Sequence, residues 1–373
     1  MREYIKYLSI ITIVSLMSCQ KQTLENDRMY AEGGLISFST KVETKAPIIE
    51  NLNEDSFGVY GYNYSSLTNW NTYKAQATPN TFYKQLINCD SNGACSYTYQ
   101  PIVKNNVTET VDPDNFINGQ KKWELNQKYA FFAYYPYTAP TSYPSPGALV
   151  PSPAEQINVP YIEYTLPIKN GDSVDPDNLL DIMTSRVLEY SATLGTVVRF
   201  VFNHRLFCIE LNGNNFNETE VKVSDLSMTI SGIHYNKTKI YMDNSLPSES
   251  ELTSESESTE TGTYTATFPL ITADQTKIVE PGKGATSLSG LNGEKNVVLI
   301  PQDSSNGATK LKVEVKFKKD NADSYTIRSS EFDINFIEGK KYSLTINFIG
   351  QKVLLVEADP LPWDSKNINH SFD

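Results

Sequence analysis

Leu311-Lys312-Val313-Glu314-Val315-Lys316-Phe317-Lys318 alternates without a break between apolar and charged side chains. A β-strand turns successive side chains to opposite faces, so this stretch offers one face to a core and the other to water. Wound as a helix, it would scatter its four apolar residues around the circumference. The alternation therefore predicts a half-buried strand. Working outward, the same signal recurs downstream in Phe332–Phe336, Tyr342–Phe348 and Val353–Val356, with Gly339-Lys340 as a turn. Upstream lie Val221–Ile230, Tyr264–Phe268 and Val297–Ile300. Thr196–Leu211 reads as one long strand with Phe200, Phe202, His204 and Leu206 at alternate positions.

The first part of the chain is strand-like as well. Phe57-Gly-Val-Tyr-Gly-Tyr62 and the aromatic run from Lys128 to Pro136 are both expected strands. Ile36, Phe38, Thr40 and Val42 share one face of the first strand, which Pro47 ends because it has no amide proton for a continuing ladder. Long Asn-, Thr- and Tyr-rich loops separate these segments. Residues 138–160 hold six prolines and read as an irregular surface excursion; residues 245–263 read as an acidic low-complexity loop. Many short strands with frequent turns predict an all-β chain of two antiparallel β-sandwich domains in tandem. The expected division is 34–190 and 191–373, and 373 residues suffice for two cores.

The chain carries 44 acidic and 32 basic residues, a net charge of −12. Phosphate binding needs clustered Lys and Arg, so nucleic acid is excluded as the main partner. Residues 1–18 stand apart: Arg2 and Lys6 precede a short apolar core from Tyr7 to Met17, the layout of a signal peptide. Leu16-Met17-Ser18-Cys19 resembles the lipobox of bacterial lipoproteins, which implies cleavage before Cys19 and acylation of its thiol and new amine. Several acyl chains, at about 0.8 kcal/mol per buried CH₂, make a lasting anchor. Residues 19–33 are then a polar tether from the membrane.

Chemistry is sparse. Gly-x-Ser-x-Gly, His-Glu-x-x-His, P-loop and dinucleotide signatures are all missing from the sequence. The three His are far apart, and no Cys or His pair stands at zinc-ligand spacing, so neither a metal nor a cofactor is expected. Cys89 and Cys95 flank a turn-forming stretch and could close a small disulfide loop in an oxidising compartment, whereas Cys208 reads as a buried small hydrophobe. Val111-Asp-Pro-Asp-Asn recurs as Val174-Asp-Pro-Asp-Asn, more often a turn or helix start than a calcium site. Tyr60, Tyr62, Tyr64 and Trp70 could stack on host or dietary glycans in a monomeric surface lipoprotein, although core packing more often explains aromatics on strands.

Taken in order, several of these segments resemble the fimbrillin family of Bacteroidetes, in particular its Mfa-like branch. They are the lipobox at Cys19, Ile36-Ser-Phe38 followed by Thr44-Lys45-Ala46, Phe57 to Tyr62, Trp123, and Tyr129-Ala-Phe-Phe-Ala-Tyr-Tyr-Pro136. Asp181-Ile-Met183, Val198-Arg-Phe-Val-Phe-Asn-His204, Phe336-Ile-Glu-Gly-Lys-Lys-Tyr342-Ser-Leu and Trp363 complete the set. Lys45, where the family commonly has Arg, and the long loops depart from the pattern.

The resemblance implies transthyretin-like domains and a non-enzymatic subunit of a surface fimbrium, lipid-anchored in the cell outer membrane and active in adhesion to host or microbial glycans or proteins. It also implies assembly. A protease cuts after a basic residue behind the first strand, that strand leaves, and its groove accepts a strand from another subunit. Lys45-Ala46 is the expected cut, Arg28 the second choice. Ile36, Phe38 and Val42 would vacate the groove, each site worth about 1.5–3 kcal/mol when refilled. The donor is expected from the C-terminal region, where Val353, Leu354, Leu355 and Val356 form the most apolar late segment.

Overall fold

The computed structural model describes residues 34–42, 56–90, 94–138, 149–170, 172–191, 197–234, 236–243, 264–288, 297–301, 309–319, 322–334, 336–350, 352–357 and 361–362. Apart from one helix, Trp70–Tyr73, and three short 3₁₀ turns, the regular elements among them are β-strands.

The first sheet uses β1 (Ser37–Val42), β2 (Ser56–Ser65), β3 (Phe82–Cys89), β4 (Cys95–Ser96) and β5 (Gln127–Tyr135). Two strands from later in the chain join them. Across a small second sheet of β6 (Leu149–Pro151), β7 (Tyr161–Thr165) and a later partner come β8 (Met183–Tyr190) and β9 (Val197–His204). The order is β1-β9-β8-β5-β2-β3-β4. A bridge between Ser39 and Ala94, next to β4, brings the two ends of this sheet together.

The central strands β2 and β5 are apolar on both faces, and each face has its own job. Phe57, Val59, Tyr129, Phe131 and Ala133 point into the closed side, with Ile36, Phe38, Val198, Phe200 and Phe202. Tyr60, Tyr62, Tyr64, Phe132 and Tyr134 point outward into a second cluster that continues through the rest of the chain. Ile162 and Tyr164 of β7 cover that outer face with Ile240 of β12, the later partner, once β10 and β11 have intervened. Those are β10 (Phe207–Asn215), β11 (Val221–Ile233) and β12 (Lys237–Tyr241).

The second half is a two-sheet sandwich. β11 lies between β13 (Tyr264–Ile271) and β14 (Thr309–Lys319), and β15 (Thr326–Ile334) forms the edge. Opposite them, β10 pairs with β16 (Lys340–Ile349), which carries β17 (Lys352–Glu357) on its far side. Leu311, Val313, Val315 and Phe317 are buried facing this gap, and Phe317 meets Phe348 at 5.0 Å between ring centroids.

Three local readings need correction. The run Thr196–Leu211 is not one strand: it breaks at Arg205-Leu206, with β9 completing the first sheet and β10 starting the sandwich. The chain crosses there because Arg205 is pinned, its amide donating to Ile182 O at 2.8 Å and its guanidinium to Thr184 Oγ1 and Tyr241 O. A division near residue 190 thus falls between two paired strands of one sheet. The Pro-rich excursion contains β6, and its Ser152, Ala154 and Val159 are buried; Tyr60 Oη donates to Ser152 O at 2.7 Å. Lastly, each half holds a parallel pair, β1 with β9 and β10 with β16, within otherwise mostly antiparallel sheets.

Gly58 shows how tight the packing of β2 is. A Cβ built there would lie 2.1 Å from Tyr134 Cε1, and that ring is buried. Gly58→Ala is expected to destabilise the protein by about 1–3 kcal/mol, read as a lower urea midpoint with unchanged slope.

Candidate functional site: the groove of the first strand

β1 is seated on both of its edges. On one side it runs parallel to β9 in register from Ser37 opposite Val197 to Val42 opposite Phe202. On the other side two segments meet it, Ala94–Tyr97 and Lys121–Trp123. Ser39 bridges Ala94, Tyr97 Oη donates to Ile36 O at 2.9 Å, and Ile36 N donates to Lys121 O at 2.8 Å. Lys121 N in turn donates to Tyr97 Oη, and Trp123 N donates to Gly34 O at 2.9 Å.

Apolar packing adds to this ladder. Ile36 is fully buried and Phe38 nearly so. Phe38 stacks on Phe200 at 5.7 Å and meets Phe82, Tyr97 and Phe131 at 5.6, 5.5 and 5.9 Å. One side chain therefore contacts rings from β3, β5, β9 and the segment after β4. The alternation of β1 produces this directly: Ile36 and Phe38 face inward, while Ser37 and Ser39 are only half-buried.

Cys89 and Cys95 are joined by a disulfide that ties β3 to β4, and Cys89 is buried among the residues lining the groove. The loop between them is braced by Asp90 N donating to Ala94 O at 2.9 Å and Ala94 N donating to Asp90 Oδ1 at 3.0 Å.

Other residues singled out from the sequence lie elsewhere. Cys19, Arg28, Lys45 and Ala46 fall outside the described residues, as does the side chain of Val42. Val353, Leu354, Leu355 and Val356 form most of β17, paired on one side with β16. Val353 and Leu355 are half-buried, and Leu354 is 56% exposed. These last residues line a cleft of about 180 Å³ between β15 and β17 with Val313, Val315 and Ile346.

Residues considered for other chemistry are absorbed by the fold. Tyr60, Tyr62, Tyr64 and Trp70 are buried in the outer-face core and offer no ring to a glycan. His204 Nδ1 lies 2.8 Å from Asp181 Oδ1, both buried beside the crossing at Arg205. Asp112 and Asp175 each accept a backbone N–H two residues on, capping 3₁₀ turns. Cys208 is buried in a strand. The sequence reading missed Ala94, Tyr97 and Lys121–Trp123, the wall on the second edge of β1. The short alternation Cys95-Ser96-Tyr97-Thr98-Tyr99 was the available signal.

Residues 44–363 match the family model described as fimbrillin-like. The chain belongs to the fimbrillin-like family. The match starts just behind β1. A fimbrial protein from Bacteroides vulgatus has a similar structure, with a TM-score of 0.57 at 20% identity, covering 88% of this chain and 99% of that one. A candidate cell adhesion protein from Bacteroides ovatus aligns at 13% identity over 90% of this chain and 99% of its own, with a TM-score of 0.48. No curated protein sequence matches. This fimbrillin-like chain is a pilus or adhesion subunit of the cell surface, and its family is one of structural and adhesive proteins, not enzymes.

Burial holds Tyr60, Tyr97, Tyr129 and Tyr134 in their protonated form. Desolvation raises Tyr60, Tyr97 and Tyr134 above the ordinary value of 10.0, and Tyr129 is pushed up to about 12. The unfolded chain loses these protons near 10.0 while the folded one keeps them, so their contribution is complete below pH 10.0 and lost as pH rises above it. Tyrosine absorbance at 295 nm should accordingly show a delayed fraction that titrates together with loss of circular dichroism. Phe38→Ala is expected to cost about 3–5 kcal/mol of stability, measured by urea denaturation of the intact chain.

Proposed function

We propose that this chain is a polymerising pilus subunit, lipid-anchored through Cys19 in the outer membrane, whose first strand is cut away after Lys45 and replaced by a strand from another subunit. The observation that carries this reading is the seating of β1. Its bonds to β9 and to the opposite wall are made by backbone, and its grip comes from Ile36 and Phe38. Neither depends on β1 being joined to residue 56 and beyond, so an incoming strand with apolar residues at alternate positions can make the same contacts. It would have to run parallel to β9.

β17 has the character of a donor. It is bonded on one side, and its inward residues Val353 and Leu355 are half-buried where Ile36 and Phe38 are buried. Detaching it therefore exposes less apolar surface than a groove of this kind covers, at about 25 cal/mol per Å². The family match beginning at residue 44 fits a mature subunit that starts just behind β1.

Brief treatment with a Lys/Arg-specific protease is expected to give a new N-terminus at Ala46 and multimers that survive mild detergent on a gel. Deleting residues 350–373 should abolish those multimers and leave a folded monomer. A chain that stays whole and monomeric under the same treatment, or one whose multimers are unaffected by the deletion, would sink the proposal.

A further inference from the structure

We infer that the Cys89–Cys95 disulfide is a lock on the groove: it holds the second wall in place, so that any strand seated there, the chain's own or another subunit's, leaves slowly. This rests on the strand-exchange reading for its biological use, though not for its test.

The wall is intrinsically weak. β4 has two residues, and its ladder to β3 consists of Asn88 opposite Ser96 and Cys89 opposite Cys95. Beyond it the ladder gives way to side-chain bonds, Gln85 of β3 donating to Thr98 O and accepting from Gln100 N. Yet the segment Ala94–Tyr97, which contains β4, supplies three of the contacts on β1: the Ser39–Ala94 bridge, the Tyr97 hydrogen bond to Ile36 O, and the ring contact of Tyr97 with Phe38. Tyr97 is held in turn by Phe82 at 5.4 Å, and Phe82 also packs on Phe38. Wall and strand thus support one another at Ala94–Tyr97, whereas Thr98–Gln100 is held from behind by Gln85 and Gly119, so an empty groove would loosen the leading part of the wall.

The disulfide breaks that mutual dependence. It ties residue 95 to residue 89, which sits buried in the groove lining at the end of β3, a strand paired along its length with β2. With the bridge closed, the wall remains near its position when the groove is empty, and a returning strand meets two prepared edges instead of one. Opened, the leading part of the wall, Ala94–Tyr97, must be ordered each time a strand binds. The chain entropy removed by a bridge across so short a loop corresponds to roughly ten- to fifty-fold in an equilibrium. Preorganisation of this kind tightens binding without adding a contact.

The test is amide hydrogen exchange of the intact full-length protein, followed by mass spectrometry, with the disulfide closed, after reduction by a small dithiol, and in the Cys89→Ser/Cys95→Ser double variant. Peptides covering β1 (Ser37–Val42) are expected to exchange at least tenfold faster when the bridge is absent, while those from β11 and β14 keep their rates. The reduced native chain keeps the experiment decisive should the double variant fail to fold. Equal β1 exchange in both redox states would overturn the lock, and so would a uniform acceleration across all strands, which would mark general destabilisation. Whether cut protein forms multimers is scored separately: no multimers in either redox state would defeat strand exchange while leaving the exchange result on β1 to stand by itself.

Discussion

The parallel pairing of β1 with β9 is the constraint on which the first half of the molecule depends. Ser37 lies opposite Val197, so the two partners are about 160 residues apart in the chain. Parallel neighbours cannot be joined by a tight turn. Closing so distant a pair is the slow kind of contact to form. Until it happens, Phe82, Tyr97, Phe131 and Phe200 surround a site with no side chain in it. Phe38 completes that cluster, so an element from the start of the chain fills the centre of the sheet's closed side.

The two faces of β2 and β5 separate this site from the rest. Their inward residues depend on β1; their outward residues, Tyr60, Tyr62, Phe132 and Tyr134, belong to the cluster shared with β7, β12 and the sandwich. A chain that lost β1 would open one core and keep the other. Such partition is what a subunit needs if it is to hold its shape while a groove stands empty, and it accounts for central strands that are apolar throughout, where a simple sandwich strand would alternate.

Much of this was legible in the sequence wherever the physics is local. Strict alternation located β14 and placed Ile36 and Phe38 on the core side of β1, because a period of two leaves no other way to bury them. The same rule concealed the sheet crossing. Val198, Phe200, Phe202 and His204 are buried at alternate positions and Leu206 continues the series, so nothing in the pattern marks the break that Arg205 imposes through Ile182, Thr184 and Tyr241. Those partners are contacts of tertiary structure. The second wall was hidden for the same reason: Ala94 and Tyr97 reach β1 across more than fifty residues, and a two-residue strand carries almost no signal of its own.

The seating of β1 also bears on why an intact chain would keep its own strand. While residue 42 remains joined to residue 56 and beyond, β1 is never far from its groove, and a competing strand must overcome that high effective concentration. Scission of the connection leaves the contacts of Ile36 and Phe38 unchanged and removes only the tether. A strand that departed after such a cut would dilute away, and the return that was unimolecular would become bimolecular. On the proposed exchange, a donor presented by a neighbouring subunit would then need contacts no better than those of β1 to take its place. What it does need is a groove that keeps its form in the interval. β9 stays because it continues into the sandwich through Arg205, and the opposite wall has the bridge at Cys89 and Cys95. The two edges are thus secured by different means, one by chain continuity and one by a covalent bond, and each is independent of the strand that lies between them.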